Sequence, residues 1–184
     1  MRDWAIVGLL LAGCATAKAT GPYQPASELA RDTARAESLN REAAGLIDRD
    51  PVRAEALLRE ALTADLFFGP AHNNLGVLFL EQDQLYEAAS ELEWARKLLP
   101  GHPDPRVNLA LTMERAGKTD EALAAYDAAL EVYPEYLPAV MGAARLTLQG
   151  GRDDVRLRGW LETIAMRAED PKWREWSRNQ LAAL

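Results

Sequence analysis

The chain has 184 residues, 28 Asp and Glu against 21 Lys and Arg, and a single cysteine. That length suits one domain with a buried core, and one cysteine excludes an intramolecular disulfide. The net charge of -7, with basic residues scattered among carboxylates, leaves no basic stripe for nucleic acid. Alanine, leucine, Glu and Arg are abundant and runs of Val, Ile and Thr are absent, so the expected fold class is all-α.

At the start, Met1 and Arg2 carry positive charge, diluted by Asp3, and Trp4 to Ala12 form an apolar run. It is far shorter than the ~20 residues a membrane-spanning helix needs, and it reads as the core of a secretion signal. The run ends in Leu11-Ala12-Gly13-Cys14. This resembles the lipobox of bacterial lipoproteins, a Leu and two small residues before a Cys. The resemblance implies a signal peptide over 1–13 that is cut before Cys14, acyl chains on Cys14, and a lipid-anchored protein of the bacterial cell envelope. Acyl chains contribute ~0.8 kcal/mol per buried methylene, and durable anchoring takes more than one chain. Ala15 stands where lipoproteins retained at the inner membrane commonly carry Asp, so the resemblance points to the outer membrane, facing the periplasm. Residues 14–27, small and polar with Gly21, Pro22 and Pro25, are expected to form a flexible tether.

From there a period of 34 residues runs through the chain. Asn74-Leu75-Gly76 returns as Asn108-Leu109-Ala110, Glu87-Ala88 as Glu121-Ala122, Ala95 as Ala129 and Pro100 as Pro134. A backward step places Asn40, Ala54, Leu58, Ala61 and Leu62 in the same register. A forward step reaches Ala143-Ala144 and Gly150-Gly151, after which phase is expected to fail around Arg156. Asp50-Pro51, Gly69-Pro70, Asp104-Pro105, Leu137-Pro138 and Asp170-Pro171 are expected to open helices, with a capping residue or proline at the first turn. Turns within units are expected at Asp83-Gln84, Gly117-Lys118 and Gly150-Gly151.

This pattern resembles the tetratricopeptide repeat. The resemblance implies a right-handed α-α superhelix of antiparallel helix pairs over 28–184. Its units would be about 35–68, 69–102 and 103–136, followed by a degenerate 137–169 and a capping helix over 170–184. Gly76, Ala88, Ala95, Ala110, Ala122 and Ala129 would let helices approach closely, while Leu75, Leu92, Leu109 and Tyr126 fill the space between them. In the last helix Trp173 and Trp176 share a face with Leu181, either to seal the final repeat or to anchor a partner.

In this family the first helix of each unit lines a concave groove, which implies a protein or peptide ligand there. The outward positions would be Asn40, Asn73, Asn74, Val77, Leu80, Val107, Asn108, Leu111, Arg115, Met141 and Arg145. Repeated asparagines can bond an extended peptide backbone, as in related repeat families, or can bond between repeats. Val77, Leu80 and Leu111 can face a ligand or a neighbouring helix. The lysine clamp of co-chaperone relatives is missing. Three hydrogen bonds at about 1 kcal/mol each barely match the ~2–5 kcal/mol cost of ordering a segment, so apolar contacts must supply the rest.

His72 and His102 stand thirty residues apart with no ligand spacing around them, and phosphate loops, serine elbows and paired carboxylates are absent. No catalysis, cofactor, metal or small-molecule substrate is expected. Two functions remain: an adaptor or scaffold in envelope or secretion-machinery assembly, and a structural solenoid that self-associates without a dedicated peptide ligand.

Overall fold

The computed structural model describes residues 31–184; the expected signal 1–13, Cys14 and the tether 14–27 lie outside them. The described residues form nine helices and no strand: α1 (Thr33–Ala44), α2 (Pro51–Ala64), α3 (Gly69–Glu81), α4 (Leu85–Leu98), α5 (Asp104–Arg115), α6 (Thr119–Val132), α7 (Leu137–Gln149), α8 (Leu157–Arg167) and α9 (Pro171–Ala183). The five X-Pro pairs expected to open helices each do so. Asp50 and Asp170 accept backbone N–H bonds from Arg53 and Lys172 at 3.1 and 2.8 Å, satisfying donors that the first turn leaves over.

The turns keep the 34-residue step to the residue. Asp83, Gly117 and Gly151 adopt left-handed φ of 60, 73 and 58°. One residue later, the N–H of Gln84, Lys118 and Arg152 reaches back to Phe79, Met113 and Thr147 carbonyls at 2.9, 2.9 and 3.0 Å. A left-handed residue followed by this back-bond is a Schellman stop, which ends one helix and launches the next antiparallel. Asp83 is the unit's departure from glycine; short polar side chains tolerate this region at some cost.

Helix pairs then nest by size. A Cβ added to Gly76 would lie 2.6 Å from Leu92 Cγ, so α3 and α4 approach at a distance only glycine permits. Leu58, Leu92, Tyr126 and Trp160 stand at successive 34-residue steps on the second helices, all buried. Trp160 is also a correction: phase does fail at Arg156, but it resumes four residues later. Helix α8 lacks its first turn because loop 150–156 replaces it, with Asp154 accepting the Arg156 N–H at 2.8 Å.

The first helix departs too. The step from Gly76 lands on Glu42, which is exposed, whereas Ala36 and Ala43 are the buried residues of α1. Helix α2 is back in register with Ala54, Leu58, Ala61 and Leu62 buried, so loop 45–50 absorbs a one-residue offset.

Curvature follows from which helices meet. Helix α1 touches α3 and α3 touches α5, while no comparable contact joins α2 to α4 or α4 to α6 among the described residues. The first helices of the first three pairs, α1, α3 and α5, therefore lie on the inside of the curve.

Candidate functional site

On that concave side the asparagines bond to one another. Asn74 Nδ2 donates to Asn40 Oδ1 at 2.9 Å, Asn108 Nδ2 donates to Asn73 Oδ1 at 3.0 Å, and Asn73 Nδ2 approaches Asn74 Oδ1 at 3.4 Å. These amides form a ladder tying α1 to α3 and α3 to α5. Their first role is spacing between repeats, and Asn74→Ala is expected to lower the unfolding free energy by about 1 kcal/mol, read by urea titration. An unchanged midpoint would contradict that role.

The ladder stops at α5. One further step lands on Gly142 instead of an asparagine, and the Tyr126 ring occupies the space: a Cβ on Gly142 would lie 2.2 Å from Tyr126 Cζ. Threaded past Gly142, the Tyr126 hydroxyl donates to Glu114 at 2.5 Å, and Glu114 pairs with Arg145 at 2.5 Å. Burial first, then the Glu114 hydrogen bond and charge, drive the Tyr126 hydroxyl pKa far above its ordinary value. Between α5 and α7 no contact like that of α3 with α5 occurs among the described residues. A depression of about 270 Å³ opens there, walled by Val107, Leu111, Tyr126, Met141, Arg145 and Trp173.

Several expected groove residues therefore have other employment. Leu80, 4% exposed, belongs to the core of the first two hairpins, because it faces across α3 into the packing between pairs. Val107, 6% exposed, is mostly core and presents only an edge to the depression. Arg115 donates to the Leu80 carbonyl at the end of α3, with Glu81 at 3.8 Å, where a cation complements the helix C-terminus. Val77, Asn40, Asn73, Asn74, Asn108, Met141 and Arg145 are half-buried on the inner side, and Leu111 is 39% exposed.

Other polar residues serve the frame. His72 is buried, with Nδ1 2.7 Å from Glu91, Nε2 2.8 Å from the Leu66 carbonyl, and the Trp94 ring stacked at 5.9 Å. It fastens the α2–α3 connection onto α4. No group of three or more His, Cys, Asp or Glu placed to hold a metal occurs among the described residues. Sequence reasoning missed Asp65, whose fully buried carboxylate accepts two bonds from Arg31, at 2.8 and 3.0 Å, and one each from Thr33 Oγ1 and the Phe67 N–H. Burial, the largest influence, pushes its pKa up, but these four bonds and the Arg31 charge together outweigh it and leave it below the usual carboxylate range. A signal existed: Leu99 and Tyr133 occupy the same place in later units, so a carboxylate there is a departure.

At the far end α9 packs on α8, and Trp173 meets Trp176 edge to face at 5.1 Å. Trp176 and Leu181 pack on the core of the later hairpins. Trp173 packs there too and also walls the depression.

Residues 103–146 match the tetratricopeptide repeat family. Comparison with curated proteins gives no match. Among solved structures, the chain is similar to the first TPR of Spaghetti (RPAP3) bound to the HSP90 peptide SRMEEVD, at 15% identity and TM-score 0.63, covering 67% of this chain and 98% of that one. It is similar to MamA at 20% identity and TM-score 0.60, covering 83% and 84%. It is also similar to an O-GlcNAc transferase mutant of Thermobaculum terrenum at 22% identity and TM-score 0.61, covering 83% of this chain and 26% of that one. With the helix pairing described above, these likenesses define the fold as a tetratricopeptide-type α-α superhelix.

Proposed function

We propose that this chain is a lipid-anchored adaptor of the bacterial cell envelope that holds another polypeptide on its concave face. The observation that carries the reading is the inner surface itself: half-buried amides and an open apolar depression on the side where the first helices converge. Concave sites lined by apolar groups with a few placed polar ones are where ligands gain most from burial. A similar structure holds a short HSP90 peptide, which supports a peptide as the occupant here. Anchoring rests on Leu11-Ala12-Gly13-Cys14, and the outer membrane on Ala15. Among the described residues no helix is long and apolar enough to cross a membrane, so a thioether-linked lipid at Cys14 is the attachment this reading requires. The site of action is envelope or secretion-machinery assembly.

Growth with an alkyne fatty acid tests the anchor: the wild type is expected to take up label and sediment with outer membranes, and Cys14→Ala to lose both properties. Label retained by Cys14→Ala contradicts it. Sedimentation of the Cys14→Ala chain over rising concentration separates adaptor from self-associating solenoid. A monomer is expected; a stable homo-oligomer that occludes the concave face would overturn the adaptor.

A further inference from the structure

The described residues begin at Arg31, and that side chain is pinned. Its guanidinium holds the Asp65 carboxylate and lies 5.4 Å over the Phe67 ring, while the Asp32 N–H donates to the Ala64 carbonyl at 3.0 Å. The segment that leads back to Cys14 therefore joins the superhelix at a fixed point, beside Phe67.

An apolar patch reaches the surface at the same point. Phe67 is 48% exposed and Trp94 45%. His72 links them, with Nε2 bonded to the Leu66 carbonyl at 2.8 Å and its ring stacked on Trp94 at 5.9 Å. Each exposed ring carries a cation, because Lys97 Nζ lies 5.7 Å over Trp94 as Arg31 lies over Phe67. The carboxylates nearby are engaged: Asp65 with Arg31, Glu91 with His72, Glu93 with Arg96 at 2.7 Å, and Asp32 as the cap of α1. The patch is therefore aromatic, with little net charge. A ring topped by a long cationic side chain suits the boundary of a bilayer, where the ring enters the apolar layer and the charged head stays among the headgroups.

We propose that this patch, Phe67 and Trp94 with Arg31 and Lys97, rests on the lipid surface that holds Cys14. The proposal depends on the acyl anchor of the preceding section and adds an orientation to it. Residues 15–30 can extend to about 50 Å, so the anchor by itself lets the domain face any way, and the surface beside Arg31 decides. Anchoring keeps the patch at high local concentration, so a contact too weak to recruit free protein suffices to orient a tethered one. Phe67 lies in the α2–α3 connection and Trp94 on the second helix of its pair, so this contact leaves the concave face open to a partner.

The test places a nitrobenzoxadiazole dye on a single new cysteine, Phe67→Cys or Tyr86→Cys, in the full acylated chain, where the Cys14 thiol is already consumed. Tyr86 is 85% exposed and lies eight residues before Trp94 on α4, about 12 Å away at ~1.5 Å per residue. In vesicles of phosphatidylethanolamine and phosphatidylcholine, dye emission at 67 is expected to shift to the blue and to be quenched by spin labels on the acyl chains; at 86 it stays as in water. The shift at 67 is expected to persist in high salt and to vanish with Trp94→Glu; the comparison of 67 with 86 stands even if that variant unfolds. An acylated chain with no shift at 67, or with an equal or larger one at 86, overturns the orientation and leaves the anchor standing. A shift at 67 in the Cys14→Ala chain without vesicles also overturns it, because a second copy then covers the patch. Absence of acyl mass on Cys14 overturns the anchor, and the orientation with it.

Discussion

Replacing Tyr126 with alanine is expected to lower the unfolding free energy by about 4 kcal/mol, measured by urea denaturation. The ring is 1% exposed and lies in the core formed by α5 to α9. Its loss leaves a cavity and also strips Glu114 of a hydrogen bond beside Arg145. The effect is large against a typical domain stability of about 5–15 kcal/mol. Gly142→Ala tests the same contact from the other side. Its new Cβ would lie within 2.2–2.6 Å of three ring atoms, and a buried ring cannot swing away as a flexible chain end can. Overpacking of this kind costs about 2–3 kcal/mol, outweighing the roughly 1 kcal/mol that alanine gains over glycine within a helix. In a Tyr126→Ala background the clash is gone, and Gly142→Ala becomes neutral or stabilising. The double-mutant cycle therefore shows strong coupling, and simple additivity would contradict the wedge.

The second large effect is at Asp65, where alanine is expected to cost about 3 kcal/mol at neutral pH. The carboxylate joins the end of α2 to the start of α1, and its loss leaves Thr33 and the Phe67 N–H without an acceptor. The isosteric Asp65→Asn gives the pH dependence. Because the folded-state pKa lies below the unfolded one, the stabilisation is fully present above the ordinary Asp value of about 3.9. It is lost as pH falls through the lower, folded value. The stability gap between wild type and Asp65→Asn is therefore expected to close on acidification, starting below about pH 4. Asp154, also held low, first by the Arg156 hydrogen bond, is common to both proteins and cancels from the difference. A gap that stays constant down to strongly acidic pH would show that the charge of Asp65 contributes nothing.

Much of the fold could be read from the residues because its determinants are local and recur. A left-handed residue at 83, 117 and 151, a small residue opposite a large one, and a proline in the first turn of α2, α3, α5, α7 and α9 are decided within a turn or one hairpin. The site was less legible. Leu80 and Val107 lie on the same helices as exposed neighbours, and only the approach of adjacent pairs decides which side of the helix is covered. Arg115 and Arg145 looked free because their partners, Leu80, Glu81 and Glu114, lie 31 to 35 residues away, beyond any spacing on one helix. The end of the asparagine ladder was in plain view as Gly142, yet its consequence depended on Tyr126 entering from the preceding pair.

The central claim is that the inner side of the superhelix holds a foreign polypeptide. A photoreactive benzophenone side chain placed at Leu111, inside the curve, or at Tyr86, 85% exposed on a second helix, reads this directly in intact cells. The account predicts a discrete crosslinked protein adduct from position 111 and none from position 86. Adducts from 86 with nothing from 111 would contradict it.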